Sequence, residues 1–385
     1  MKPRVLLFTL ILVVAVALVG CGSGTATPSA SAPAAQGPQE VQIGVMAPLT
    51  GNNAEYGQIW KKAMDLAVSE ITKQNALPGK TLKLVIEDTQ SDPKQAATIA
   101  KKFADDPKIV AVIGDFSSSA SLAAAPILLE AKKVQLSPTA SDPKFAASGD
   151  YMFSIVGSQL GEAPFLADMA LKQMGGKKIG VMFINNDWGS VTKDIFVDSV
   201  KKGGGSVVEE VPYLPTDKDF RASLTRLQAK QPDVLFVAGF YDQVSLMQKQ
   251  RADLGWKVPV LCPSSCYSPL MIQQGGEAAE GQKLAAVFFP TDPSPKVQAF
   301  VKSYKDVAGQ EPNQFAALAY DSVWLLASTI AKTGTDSTKI RDGLMNFVSG
   351  YTGVTGEMKF SPDRIVVKKY VPLQIKGGKF ELWNK

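Results

Sequence analysis

The sequence predicts an α/β protein built as two Rossmann-like lobes, each a parallel sheet covered by helices. Three observations lead there. From residue 41 onward, short apolar runs that read as strands alternate with stretches of helical length almost without exception. Parallel neighbours require such crossover connections. The alternation restarts near residue 158, which implies a second sheet. Small polar loops follow the expected strands at 49–56, 115–121 and 137–141 in the first run, and at 185–190, 239–243 and 262–266 in the second. Ligands of open α/β sheets gather beyond the carboxyl ends of the strands. If the two sets of loops face each other, the ligand lies in a cleft between them.

Taken in order, residues 41–46 alternate apolar with polar or small side chains and read as the first strand. In 58–74, Ile59, Ala63, Leu66, Ala67 and Ile71 fall on one helical face. A second strand is expected at 81–87. A helix follows at 93–103, with Asp92 as its cap and Pro93 at its first position, where the missing N–H is not needed. The apolar run 109–114 reads as a buried strand and 122–133 as the next helix. Between them lie Asp115, Phe116, Ser117, Ser118 and Ser119. Serines at a turn into a helix N-terminus stand beside unpaired N–H groups and the positive end of the helix dipole, an arrangement that suits an anion. The bland alternative is that one serine merely caps the helix. Short strands are expected at 134–136 and 151–156.

The second run reads as helix 162–174, strand 178–184, helix 187–202, strand 206–213, helix 220–230, strand 234–238, helix 241–254 and strand 258–261. Residues 282–289 are expected to return to the first lobe. Helices near 296–307, 315–332 and 338–347 and short strands near 356–360 and 364–375 complete the chain. The lobes are placed at 41–157 plus 287–355 and at 158–286 plus 356–385.

Composition narrows the function. The 385 residues leave room for two domains at about 150 residues each. There is no histidine, which removes Ser-His-Asp and Cys-His chemistry and histidine metal sites. Gly-x-Ser-x-Gly, Walker A and Gly-x-Gly-x-x-Gly patterns are missing as well, and no cofactor or metal is expected. The 41 basic and 36 acidic residues come closer to balance once Lys2 and Arg4 leave with a leader. That balance, with lysine pairs scattered on helix faces, does not point to nucleic acid.

Residues 1–20 read as a signal peptide. Lys2 and Arg4 form its charged start, and 5–19 is an apolar run broken only by Thr9. The run is short for a membrane-spanning helix, which needs about 20 residues. Leu18-Val19-Gly20-Cys21 resembles the bacterial lipobox, which implies cleavage before Cys21 and a lipid on its thiol. The stretch 21–40, mostly Gly, Ser, Thr, Ala and Pro, reads as a flexible tether. The expected location is the cell envelope, in the periplasm or on the outer cell surface, held to the membrane by the lipid alone. Cys262 and Cys266 are candidates for a disulfide in that oxidising setting, although the loop it closes is too small to stabilise much. Paired and free thiols both remain open.

Seven stretches stand in one register across nearly the whole body: Val45-Met46-Ala47-Pro48-Leu49-Thr50-Gly51, Glu55-Tyr56-Gly57, Glu87-Asp88, Ser91-Asp92-Pro93-Lys94-Gln95-Ala96, Val112-Ile113-Gly114 with the serines, Ser137-Pro138-Thr139-Ala140-Ser141 and Asp187-Trp188-Gly189. Together they resemble the type I periplasmic binding proteins of ABC importers, in particular the Leu/Ile/Val-binding branch. The resemblance implies three crossing segments between the lobes and hinge closure over a small ligand. It also implies a permease and ATPase as partners, a monomer, and no catalysis.

By the same resemblance, Ser117, or Ser118 one position on, receives the ligand carboxylate through hydroxyl and N–H. Thr139 offers its carbonyl to the ligand ammonium, Ala140 follows it, and Ser141 offers N–H and hydroxyl. Tyr56 packs on the ligand from the first lobe, and Trp188, Phe240 and Tyr241 from the second. The bland reading of these aromatics is packing within their own lobes. Members that bind α-amino acids hold a glutamate near the position of Ser264. Here the loop Cys262-Pro263-Ser264-Ser265-Cys266 has no carboxylate. An enclosed ammonium without an anion is costly, so Asp242 or Glu162 supplies the charge or the ligand lacks an ammonium. An amino acid and an aromatic or aliphatic carboxylate both stay open. A sensory protein of the same fold is an alternative role. A serine enzyme is the remaining one, because Ser141-x-x-Lys144 and Lys332-Thr333-Gly334 superficially resemble penicillin-binding enzymes. Lys332 ends an expected helix rather than lying on a strand, which speaks against it.

Overall fold

A computed structural model describes residues 39–384. The signal peptide, Cys21 and nearly all of the tether lie outside the described residues. The first lobe alternates β1 (Gln39–Ala47), α1 (Ala54–Lys73), β2 (Lys80–Asp88), α2 (Pro93–Asp105), β3 (Ile109–Ile113), α3 (Ser118–Glu130), β4 (Val134–Ser137), α4 (Pro143–Ala147) and β5 (Met152–Ser154). Its strands form one sheet in the order β2-β1-β3-β4-β5, parallel throughout. The order reverses around β1, so helices cover both faces and the inner strands are apolar on both sides. The Asp92 side chain caps α2 by accepting from Lys94 and Gln95 N–H, with Pro93 at the first helical position.

The second lobe carries α5 (Gln159–Asp168), which runs into a π-helical turn at Met169–Gln173, then β6 (Lys178–Ile184), α6 (Asp187–Lys202), β7 (Ser206–Tyr213), α7 (Arg221–Ala229), β8 (Val234–Ala238), α8 (Tyr241–Asp253), β9 (Val260–Cys262), α9 (Pro269–Gly275) and β10 (Lys283–Ala286). The chain continues through α10 (Pro295–Ala308), α11 (Gln314–Thr333) and α12 (Ser337–Met345), and a small hairpin of β11 (Thr352–Gly353) and β12 (Gly356–Glu357). Two strands, β13 (Val371–Lys376) and β14 (Lys379–Leu382), end it. The second sheet has the order β14-β13-β10-β9-β8-β6-β7, with the last two strands of the chain added antiparallel at one edge. Helix α11 packs on α1 and α12 touches β4, so these late helices belong to the first lobe.

The chain therefore crosses between lobes at 155–158, 287–294 and 358–370. The third crossing pairs with the end of β5, the Ser154 N–H donating to Arg364 O and the Val366 N–H to Ser154 O, both at 3.0 Å. Two expectations are corrected. The stretch 282–289 does not simply return to the first lobe, because its first half is β10, paired in parallel with β9 and antiparallel with β13. The helix expected from residue 122 begins at Ser118, because Ser117 caps it by accepting from the Ala120 N–H. The serines are thus the cap and first turn of α3.

Candidate ligand-binding site

The carboxyl ends of both sheets face one another across a small buried cavity, about 30 Å³ as the space open to the centre of a water molecule. Of the sequence candidates, Ser117, Ser118, Thr139, Ser141, Trp188, Phe240 and Ser264 line it. Tyr56, Ala140 and Tyr241 do not.

The serine turn is held from below by Asp115, which is fully buried. Its carboxylate accepts from the Ser117 N–H at 2.8 Å and from the Thr89 hydroxyl. The Asp115 carbonyl accepts from the hydroxyls of Ser137, at 2.9 Å, and Ser121, at 3.1 Å. Burial pushes the Asp115 carboxyl up to about 7, against the opposing pull of those hydrogen bonds. The Ser117 N–H is committed to Asp115, whereas its hydroxyl oxygen accepts from the Ala120 N–H as the cap and keeps its own proton to donate. The N–H groups of Ser118 and Ser119, in the first turn of α3, have no intrahelical acceptor, and Ser118 lines the cavity.

Ser141 completes that end. Its hydroxyl oxygen accepts from Gln159 Nε2 and, across the lobes, from Trp188 Nε1, both at 3.0 Å. With both lone pairs used, its own proton is left to donate. Trp188 stacks on Phe240 with centroids 5.0 Å apart. The first-lobe wall is Phe116 rather than Tyr56. Tyr56 stacks behind Phe116 at 4.1 Å and sends its hydroxyl across the lobes to Ser265 O at 2.6 Å. Tyr241 likewise reaches out of the cavity, its hydroxyl donating to Asn52 O at 3.3 Å. Both aromatics join the lobes instead of touching the cavity.

Of the two carboxylates considered in place of the missing glutamate, one lies at the cavity. Glu162, in the first turn of α5, lines the cavity and is buried. Its Oε1 accepts from the Ser264 N–H at 2.7 Å and its Oε2 from Gln159 Nε2 at 2.7 Å. Burial raises its pKa, and the hydrogen bonds from Ser264 and Gln159 oppose the rise. No cation pairs with it among the described residues. Beside it, Gln159 Oε1 is buried without a partner, an acceptor in want of a donor. Asp242, the other candidate for this charge, is not part of the lining; its carboxylate accepts from Gln243 Nε2.

Sequence reading missed Phe116, Val156, Gln159, Ser265, Gln314 and Phe315, which also line the cavity. Gln314 and Phe315 open α11, and Gln314 Nε2 donates to Ser264 O at 3.2 Å. Phe116 carried a signal, standing between the strand and the serines. Cys262 and Cys266 are both buried, and both are free thiols in this structure. Gln282 Nε2 donates to the Cys262 sulfur at 2.7 Å and the Cys266 thiol points to Gly239 O, which settles each thiol where it is.

The site thus sets the start of α3 and a buried carboxylate against one small cavity with aromatic walls. Known proteins agree with this architecture. The model of the family described as periplasmic binding protein matches residues 40–379. A Leu/Ile/Val-binding protein homologue of Brucella melitensis is 28% identical over 309 residues, covering 79% of this chain and 83% of its own. Among solved structures, a leucine-binding protein (LivK) of Thermotoga maritima superposes with a TM-score of 0.85 at 27% identity, covering 89% of this chain and 98% of its own. The branched-chain amino acid transporter substrate-binding protein LivJ of Streptococcus pneumoniae, solved with isoleucine, superposes with a TM-score of 0.83 at 28% identity and the same coverage. These relatives are binding proteins, and this chain is one too rather than an enzyme. With the match running through both lobes and the cleft between them, the chain belongs to the periplasmic binding protein family and is similar to its Leu/Ile/Val-binding branch.

Proposed function

We propose that this protein is the extracytoplasmic, lipid-anchored substrate-binding component of an ABC importer, and that it captures a small α-amino acid by hinge closure and delivers it to a permease. The observation that carries this reading is the unpaired, buried Glu162 carboxylate facing the serine turn across one small cavity. A ligand with carboxylate and ammonium on one carbon satisfies both ends at once. Its carboxylate takes the Ser117 hydroxyl, the Ser118 N–H and the Ser141 hydroxyl, all from residues that line the cavity. Its ammonium takes Glu162, Gln159 Oε1 and the Thr139 carbonyl, which accepts no hydrogen bond among the described residues. A carboxylate without an ammonium leaves Glu162 buried and unpaired, which costs free energy. The names of the relatives, leucine- and Leu/Ile/Val-binding, favour an aliphatic side chain against Phe116, Phe240 and Phe315.

In this mechanism the ligand binds first on the serine turn and Ser141. Closure then brings Trp188, Phe240 and the 262–266 loop over it. The ligand shifts an open–closed equilibrium by its greater affinity for the closed state. The closed form, with Tyr56 on Ser265 and Tyr241 on Asn52, is what the permease receives.

Titration calorimetry with branched-chain amino acids and their des-amino counterparts tests the reading. The amino acids are expected to bind, and the des-amino acids to bind far more weakly. Glu162→Gln is expected to weaken amino-acid binding by about 1.5–3 kcal/mol, the loss of a charge-assisted bond, and to narrow the gap. Affinity should also fall as pH drops through the raised pKa of Glu162, because a protonated carboxyl cannot pair with an ammonium. Equal binding of both ligand sets, unaltered in Glu162→Gln, would assign the site to simple carboxylates instead.

A further inference from the structure

Gln159 opens α5 directly after the first crossing and is fully buried. Glu162 stands three residues on, so the two side chains share one face of the helix, and both line the cavity. Gln159 is tied to Ser141 of the first lobe twice. Its backbone N–H donates to Ser141 O at 2.8 Å and its Nε2 to Ser141 Oγ at 3.0 Å. The second Nε2 hydrogen goes to Glu162 Oε2 at 2.7 Å. An amide nitrogen has two hydrogens, so both are in use. The amide cannot be turned round, because an ionised carboxylate only accepts and would then face the amide oxygen. Oε1 is thereby fixed as the free end of the side chain.

That oxygen is an acceptor without a donor. Among the described residues that line the cavity, Gln159 alone has a buried side-chain nitrogen or oxygen with no hydrogen-bond partner. Leaving a buried acceptor unmade costs free energy. The nitrogen donors around it are engaged elsewhere, Trp188 Nε1 on Ser141 Oγ and Gln314 Nε2 on Ser264 O. The donor that Oε1 lacks therefore arrives with the ligand. Three acceptors then border the amine end of the site: the Glu162 carboxylate, Gln159 Oε1 and the Thr139 carbonyl.

We infer that Gln159 is a specificity-determining residue which restricts the site to primary α-amino acids and rejects secondary amines such as proline and N-methyl amino acids. This restriction rests on the α-amino-acid reading above and narrows it. Glu162 and Gln159 divide the recognition between them. A primary ammonium carries three N–H groups, one for each acceptor. A secondary ammonium carries two, with a carbon where the third would be. It is still a cation, so Glu162 is paired equally well. One acceptor is nevertheless left unmade, and the carbon has to be fitted against it within a small closed space. Glu162 thus reads the charge of the amine, and Gln159 reads its third hydrogen. A site built to hydrogen-bond an N–H discriminates strongly against an analogue that lacks it, because its own buried group is then left alone.

Calorimetry on the purified protein with leucine and N-methyl-leucine tests this. The two share side chain, carboxylate and charge, and differ in one N–H. The protein is expected to bind leucine about thirtyfold more tightly or better. Gln159→Met keeps the length of the side chain and removes the acceptor. It is expected to cost leucine about tenfold more affinity than it costs N-methyl-leucine, so that the preference collapses. Glu162→Gln is expected to weaken both ligands by a similar factor and keep the preference, since both are cations. Equal affinity of the unaltered protein for the two ligands would overturn the inference, and this comparison holds even if the variant fails to fold. A preference unchanged in folded Gln159→Met would also overturn it, because a Gln159 that only props Ser141 and Glu162 weakens both ligands alike. The des-amino counterpart of leucine separates the two readings. If it binds as tightly as leucine, the α-amino-acid reading falls and this restriction with it. If leucine is preferred over it but not over N-methyl-leucine, the restriction alone falls.

Discussion

Asp115 is an acid placed directly behind the serine turn, and its burial decides how it responds to pH. Its carboxyl is pushed up to about 7, above the ordinary 3.8. The stability associated with its neutral form is present in acid and is lost as pH rises through about 7. Between about pH 4 and 7 this one group lowers the unfolding free energy by up to about 1.4 kcal/mol per pH unit. Asp115→Asn keeps an acceptor for the Ser117 N–H and is expected to remove that share of the slope, read from urea unfolding at a series of pH values. An unchanged slope would mean that the carboxyl is ionised in the folded protein. None of this was legible from residue types. The sequence placed an aspartate before three serines, but its burial and its hold on Thr89 depend on a loop 26 residues away.

At the scale of elements, the two lobes use the same device to aim an aromatic ring. Helix α1 begins Ala54-Glu55-Tyr56-Gly57 and α6 begins Asp187-Trp188-Gly189. In each, the glycine lets the first turn press on the end of the preceding strand or its loop. A Cβ on Gly57 stands 2.0 Å from Pro48 O, and one on Gly189 stands 2.0 Å from Ile184 O. Neither carbonyl can move without shifting backbone. Gly57→Ala and Gly189→Ala are each expected to destabilise by about 1–3 kcal/mol, as overpacking does, measured by chemical denaturation. Tolerance of both would show that the helix starts are not packed as described. These motifs and the Asp92–Pro93 start of α2 were readable in advance because caps and first turns are local chemistry. The start of α3 was read four residues late, because Ser117 as a cap and Ser117 as part of a ligand loop look alike in sequence.

For the whole molecule, the proposed closure would rest on a few bonds between lobes. The Tyr56 hydroxyl on Ser265 O, Tyr241 on Asn52 O and Ser268 on Glu55 all span the cleft. Each exists only while the lobes are together, so each contributes to the closed state and not to the folding of either lobe. Tyr56→Phe is expected to cost about 0.5–1.5 kcal/mol of closure. The result would be ligand affinity weakened by up to about tenfold and a larger radius of gyration in small-angle scattering at subsaturating ligand. Unaltered affinity and size would remove Tyr56 from the closure contacts and return it to packing alone.

The two-lobed α/β class, the family resemblance and the loops that meet at the cleft were legible in the residues alone. Strand and helix periodicities are local, and parallel sheets follow from them. Seven of its ten named ligand residues line the cavity for the same reason: they sit on those loops. Which of the two candidate carboxylates reaches the cavity was not readable from the chain, since Glu162 meets Ser264 across 102 residues. Only the tertiary structure decided that Phe116 faces the ligand space while Tyr56 bridges the lobes, and that α11 supplies Gln314 and Phe315. Those outcomes depend on how two lobes close and which side chain fills the gap between them, and such packing between distant segments leaves no periodic trace in the chain.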